Sequence, residues 1–168
     1  MTMITTDTIL VLTTGGTIDK QYFDALSRYE ITDTTVTKLL SIARVNRPYR
    51  LDEVLRKDSL DLTDDDRAQI VSFVRGVDLS RIVITHGTDS MTLTAQALSS
   101  IPGKTIVLTG ALSPARFSES DAAFNLGMAF ATAQVASAGV YVAMNGSVFC
   151  WDEVVKDRAC GCFVRKSV

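Results

Sequence analysis

Three short β-branched runs each end in a glycine- and threonine-rich turn, and this recurring arrangement limits the fold more than any other feature. Residues 8–13 (TILVLT) run into Thr14-Gly15-Gly16-Thr17, residues 81–85 (RIVIT) into His86-Gly87-Thr88-Asp89, and residues 105–108 (TIVL) into Thr109-Gly110-Ala111-Leu112. Runs apolar at successive positions, bounded by turn residues, fit strands buried on both faces, as in a parallel sheet covered by helices. Helical spacing falls between them, at residues 35–45, from Thr63 onward, at 90–99 and at 121–136, with further strands at 50–55 and 139–144. Alternating strands and helices predict an α/β fold with a doubly wound, mostly parallel sheet. In such sheets ligands bind beyond the carboxyl ends of the strands. Glycine permits close backbone approach there, threonine supplies hydroxyls, and a following helix start supplies free N–H donors. The three turns are therefore expected to converge on one pocket.

A chain of 168 residues fits a single domain, read here as 1–168, with no repeat or linker. Seventeen basic against nineteen acidic residues leave a net charge of −2, and no basic stripe is present, which argues against a nucleic-acid partner. No apolar run approaches the ~20 residues that cross a bilayer, so a membrane is not an expected partner either. Met1 to Thr6 lacks the features of a secretory signal and reads as a candidate vector leader. Cys150, Cys160 and Cys162 form an odd, sparse set, which fits a reducing cytoplasm. Cys160-Gly161-Cys162-Phe163-Val164 alternates like a terminal strand, so core packing is favoured over a zinc site. Trp151 reads as a packing anchor, and Asp64, Asp65 and Asp66 as first-turn carboxylates after the N-cap Thr63. Residues 18–30 show no clear period and read as a mobile loop, a candidate lid.

The chemistry is narrowed mainly by elimination. Neither the dinucleotide nor the P-loop glycine fingerprint is present. His86 has no nucleophile elbow to serve, and a lone histidine between a strand end and Gly87 more often has a structural role. What remains is a set of threonine hydroxyls, one carboxylate and a lysine that spacing alone does not identify. Threonine is a weak nucleophile and needs a neighbouring base, a task a desolvated lysine can perform.

The motifs themselves resemble the signature loops of the bacterial-type asparaginase/glutaminase family. Thr14-Gly15-Gly16-Thr17-Ile18, His86-Gly87-Thr88-Asp89-Ser90 and Thr109-Gly110-Ala111 carry the likeness, with Asp58-Ser59-Leu60-Asp61 and Met144-Asn145-Gly146-Ser147-Val148 followed by Lys156. The resemblance implies an amidohydrolase that takes L-asparagine to L-aspartate and ammonia without metal or cofactor. It implies Thr17 as nucleophile, Tyr22 or else Tyr29 as the loop tyrosine, and Thr88, Asp89 and Lys156 as a second constellation. Gly16, Ser59, Leu60, Gly87, Thr88 and Asp89 would line the substrate site, with Ser59 and Asp89 on its α-carboxylate and α-amino groups. Family members typically continue into a C-terminal domain. Its absence here resembles short, single-domain forms, in which another subunit of a homodimer or homotetramer would close the pocket.

Overall fold

The computed structural model describes residues 7–167. Its centre is a six-stranded sheet in the order β4-β1-β5-β6-β7-β8. The strands are β1 (Ile9–Gly15), β4 (Tyr49–Lys57), β5 (Arg81–Thr85), β6 (Thr105–Thr109), β7 (Gly139–Met144) and β8 (Ser147–Cys150). The first five run parallel and β8 returns antiparallel along β7.

Strand pleating sorts the apolar runs into two cores. Leu10, Leu12, Ile82, Ile84, Ile106 and Leu108 face α2 (Asp64–Gly76) and α3 (Met91–Leu98), meeting Ile70, Val74, Met91, Ala95 and Leu98. Ile9, Val11, Val83 and Val107 face α1 (Val36–Ile42) and α4 (Ala122–Val135), meeting Val36, Leu40, Leu126, Ala129 and Phe130. Successive residues pack on opposite helix layers, which is why the strands show no polar alternation. The doubly wound prediction is correct. Counting only the parallel strands, the order is second-first-third-fourth-fifth, so the winding reverses between β1 and β5. That switch point opens a crevice between the loops after these two strands.

The start of α2 also follows its sequence. Thr63 Oγ1 accepts from the Asp66 N–H while the Asp66 carboxylate accepts from the Thr63 N–H, a complete capping box. Trp151 packs against the first core. No described helix is long and apolar enough to cross a membrane. The reading of Met1 to Thr6 lies outside the described residues.

Two expectations are corrected. Residues 18–30 are not an irregular loop. After a single 3-10 turn at Thr17–Asp19 the chain forms a hairpin of β2 (Lys20–Phe23) and β3 (Arg28–Ile31). Each arm has four residues, none of them buried, and is too short and too polar to register as a strand period. The cysteines at 160 and 162 are not core residues. Only Phe163 turns inward from β10 (Cys162–Arg165), which pairs with β9 (Val154–Asp157). Cys160 sits exposed in the connecting turn and is disulfide-bonded to Cys162, and Cys150 is a free, exposed thiol.

Candidate active site

The loops after β1 and β5 touch backbone to backbone. A Cβ placed on Gly16 would lie 2.5 Å from the Gly87 amide nitrogen, and one on Gly87 would lie 2.5 Å from Ser59 Cβ. Gly16 also holds φ at +91°, a conformation that disfavours L side chains. Gly110, from the third loop, backs onto His86, where a Cβ would meet its carbonyl oxygen at 2.3 Å. The predicted convergence of the three glycine turns is therefore present, and absent side chains are what permit it.

Ser59, only 2 % exposed, joins its turn to the β5 loop. Its hydroxyl accepts from the Asp89 N–H at 3.2 Å, and its carbonyl accepts from Ser90 Oγ at 2.6 Å. Ser90 enters the sequence analysis only as the end of its motif, and its bond to the Ser59 carbonyl across 31 positions has no local signal. Lys156, on β9, reaches across to the same loop. Its Nζ donates to Thr88 Oγ1 at 2.8 Å and to Asp89 Oδ1 at 2.8 Å. Its side chain is 17 % exposed and that of Asp89 32 %, so the ion pair is only partly shielded from water. The lysine that spacing could not select is thus the one brought to the threonine.

His86 is fully buried. Its Nδ1 lies 2.7 Å from the Gly87 carbonyl, which requires the proton on Nδ1, and Nε2 accepts from Thr94 Oγ1 at 2.7 Å. Burial lowers its pKa to about 4, so the ring is neutral at ordinary pH and braces the loop against α3. The structural reading of His86 is the correct one.

Thr17 is half-buried at the start of the 3-10 turn, and its hydroxyl has no hydrogen-bond partner among the described residues. The turn is pinned by Asp19, which lies in the stretch read as a loop. One buried oxygen, Asp19 Oδ1, accepts from Thr34 Oγ1, Thr35 N–H and Thr35 Oγ1, while the Asp19 carbonyl accepts from the Thr32 N–H. Both ends of the hairpin are therefore tied together beside Thr17. The signal was available in Thr34-Thr35, two potential donors just ahead of a helical run.

Three predicted residues, Tyr22, Tyr29 and Leu60, are not drawn into this network. Tyr22 and Tyr29 face each other across the hairpin with ring centroids 5.3 Å apart, and both are about half exposed. Tyr29 also packs on Phe117 and lines an open recess of about 450 Å³ with Lys20 and Asp58. Leu60 is 69 % exposed.

The asparaginase N-terminal domain profile matches residues 8–162. The chain belongs to the asparaginase family. The L-asparaginase of Thermococcus kodakarensis is 31 % identical over 159 residues, covering 91 % of this chain and 48 % of that protein. Its solved structure superposes with a TM-score of 0.82 at 30 % identity over 94 % of this chain and 51 % of that one. The glutaminase-asparaginase of Acinetobacter glutaminasificans is 30 % identical over 162 residues, covering 88 % of this chain and 49 % of that protein. A structure titled a probable cytoplasmic L-asparaginase from Campylobacter jejuni gives a TM-score of 0.78 at 26 % identity, over 95 % and 51 % of the two chains. This chain spans about half the length of the relatives it matches.

Proposed function

We propose that this asparaginase-family chain is an L-asparagine amidohydrolase, releasing L-aspartate and ammonia. The observation that carries the reading is the contact of Lys156 Nζ with Thr88 Oγ1 and Asp89, on a loop whose Gly87 touches Gly16, the residue before Thr17, at the switch point. In this mechanism Thr17 Oγ attacks the side-chain amide carbon and passes its proton on to the departing ammonia. Water then cleaves the acyl-enzyme and restores the hydroxyl. Ser59 and Asp89 hold the α-carboxylate and α-amino groups, and the Thr88 N–H donates to the developing oxyanion.

The similarity to a glutaminase-asparaginase favours glutamine as the second substrate to try. One extra methylene is discriminated by only about 10–200-fold in such pockets. We propose further that residues 1–168 act as one catalytic unit in the cytoplasm, in a homodimer or homotetramer whose neighbouring subunit covers the strand-end loops. The exposed face of α4, with Ala123, Phe124, Gly127, Ala131 and Val135, supports such a contact. Light scattering that finds a fully active monomer would remove it. The reading as a whole is tested by ammonia release from L-asparagine. Thr17→Ala and Thr88→Val are each expected to lower kcat by several orders of magnitude with circular dichroism unchanged. Saturable asparagine binding with no ammonia release would instead identify a sensing module.

A further inference from the structure

The β9–β10 hairpin carries a feature that amide hydrolysis does not use. Cys160 and Cys162 are bridged across one residue, Gly161, at the tip of the hairpin that presents Lys156. Lys156 pairs with Phe163 in the antiparallel register, and the next pair is Asp157 with Cys162. The bridge therefore begins one step from the lysine.

This disulfide is not needed to hold the hairpin. A ring closed over one residue removes little chain entropy from the unfolded state. The hairpin is rooted elsewhere, by buried Val154 and Phe163 and by the Phe163 N–H donating to Asn145 Oδ1 at 2.8 Å. The tip is open instead. Residues 157–160 are exposed, nothing lies within 4 Å of a Cβ placed on Gly161, and Gly161 holds φ at +64° to reverse the chain between the two sulfurs. An accessible disulfide that is dispensable to the fold is open to exchange, and exposed bridges are the labile or regulatory ones. In a reducing compartment such bridges are transient.

We propose that Cys160–Cys162 is a reversible thiol–disulfide exchange site for small thiols of the glutathione class, and that its redox state sets how firmly β9 holds Lys156 against Thr88 and Asp89. In the forward step an external thiolate attacks Cys160 Sγ, on the more exposed of the two residues. The bridge breaks, and Cys162 leaves as a thiolate that takes up a proton. A second external thiolate attacks the mixed disulfide at its own sulfur, freeing Cys160 and forming the external disulfide. Two electrons pass from two thiols to the bridge. With the bridge open, residues 157–162 regain freedom next to Lys156, and its two hydrogen bonds must hold the strand end against that motion.

The exchange step stands by itself. Its effect on turnover rests on the asparaginase reading. The test uses the Cys150→Ser chain, so that no third thiol interferes, equilibrated in glutathione buffers of stepped oxidised-to-reduced ratio and quenched by alkylation. Two thiols appearing and disappearing together, reversibly and with unchanged circular dichroism, are expected. Alkylation at every ratio, or a bridge that survives millimolar dithiol in the folded protein, overturns the site. Hydrogen exchange across residues 154–165 should speed up on reduction, and identical exchange in both states overturns the link to Lys156. Ammonia release should fall several-fold on reduction, and Cys160→Ser should sit at the reduced level, indifferent to glutathione. Equal rates in both states also overturn that link. If neither state releases ammonia the asparaginase reading fails, while alkylation and hydrogen exchange still decide the site.

Discussion

Lys156 Nζ lies 2.8 Å from Thr88 Oγ1 across 67 intervening residues, joining a peripheral hairpin to the loop at the sheet's switch point. A surface lysine beside Asp152, Glu153 and Asp157 would be the ordinary expectation for that stretch of sequence. The structure instead turns it inward, with the Asp89 carboxylate as its second partner.

Lys156→Met is expected to abolish ammonia release while the fold is retained. Lys156→Arg separates charge from proton transfer, since a guanidinium keeps its charge and does not give up its proton at working pH. We expect Arg to leave the enzyme inactive. Recovery of most of the rate with Arg would mean that only positive charge is required beside Thr88 and Asp89.

Gly16→Ala should be as damaging as loss of a reacting group, although it removes no functional atom. The added methyl meets backbone atoms of Gly87 at 2.5 and 2.6 Å, and φ at +91° is already unfavourable for alanine. Such backbone strain costs about 1–3 kcal/mol, and relieving it separates the two loops. We expect a lower Tm together with loss of turnover. Gly76→Ala, with nothing within 4 Å at the end of α2, should leave both intact. A Gly16→Ala chain with normal kcat would show that the contact between loops is not needed.

Much of this site was legible because apolar runs and glycine turns report local backbone requirements directly. The strands, the N-cap at Thr63 and the meeting of Gly16, Gly87 and Gly110 follow from residue type and spacing. Lys156 was reached only through the resemblance, because its partners are far away in sequence and its neighbours look solvated. The β2–β3 hairpin and the Cys160–Cys162 bridge were missed for a related reason. Four-residue arms show too little period, and a C-x-C pair reads equally well as alternation or as a bridge.

Two aspartates should respond to pH with opposite sign. Burial raises the Asp19 pKa above its ordinary value, despite the bonds from Thr35 and Thr34. Its contribution to stability is therefore greatest below the ordinary carboxylate pKa and is lost as pH rises through the raised value. All three side-chain bonds go to one oxygen that Asn retains, so Asp19→Asn should be at least as stable as the parent at pH 7. Asp19→Ala, which leaves those donors unpaired, should lose about 1–3 kcal/mol. The Lys57 ammonium and the Thr63 N–H hold Asp66 down at about 2. Its contribution is present above the ordinary pKa and disappears as pH falls through about 2. Asp66→Asn should therefore lower Tm at pH 7, with the gap closing in strong acid. Thermal melts across pH check both signs, and a destabilised Asp19→Asn at pH 7 would show that charge, not geometry, holds the clamp.

The hairpin that follows Thr17 is expected to close over substrate, with its clamp at Asp19 and Thr32 acting as the fixed end. Tyr22 and Tyr29 are costly to leave half in water, yet their rings meet at a tilt, with Tyr29 also edge-on to Phe117, rather than packing in a core. That packing, with the β2–β3 pairing, ties the two arms of the hairpin into one unit. Closure would shed water from the amide and carry a tyrosine hydroxyl toward Thr17. Tyr22→Phe removes one oxygen and keeps the ring pair, so a large fall in kcat with little change in KM assigns the role to Tyr22. The same loss in Tyr29→Phe alone moves the role to Tyr29, which already lines the recess beside Asp58. Aspartate should slow hydrogen exchange across residues 20–31. Exchange that is identical with and without aspartate would mean that the hairpin is a fixed wall of the site.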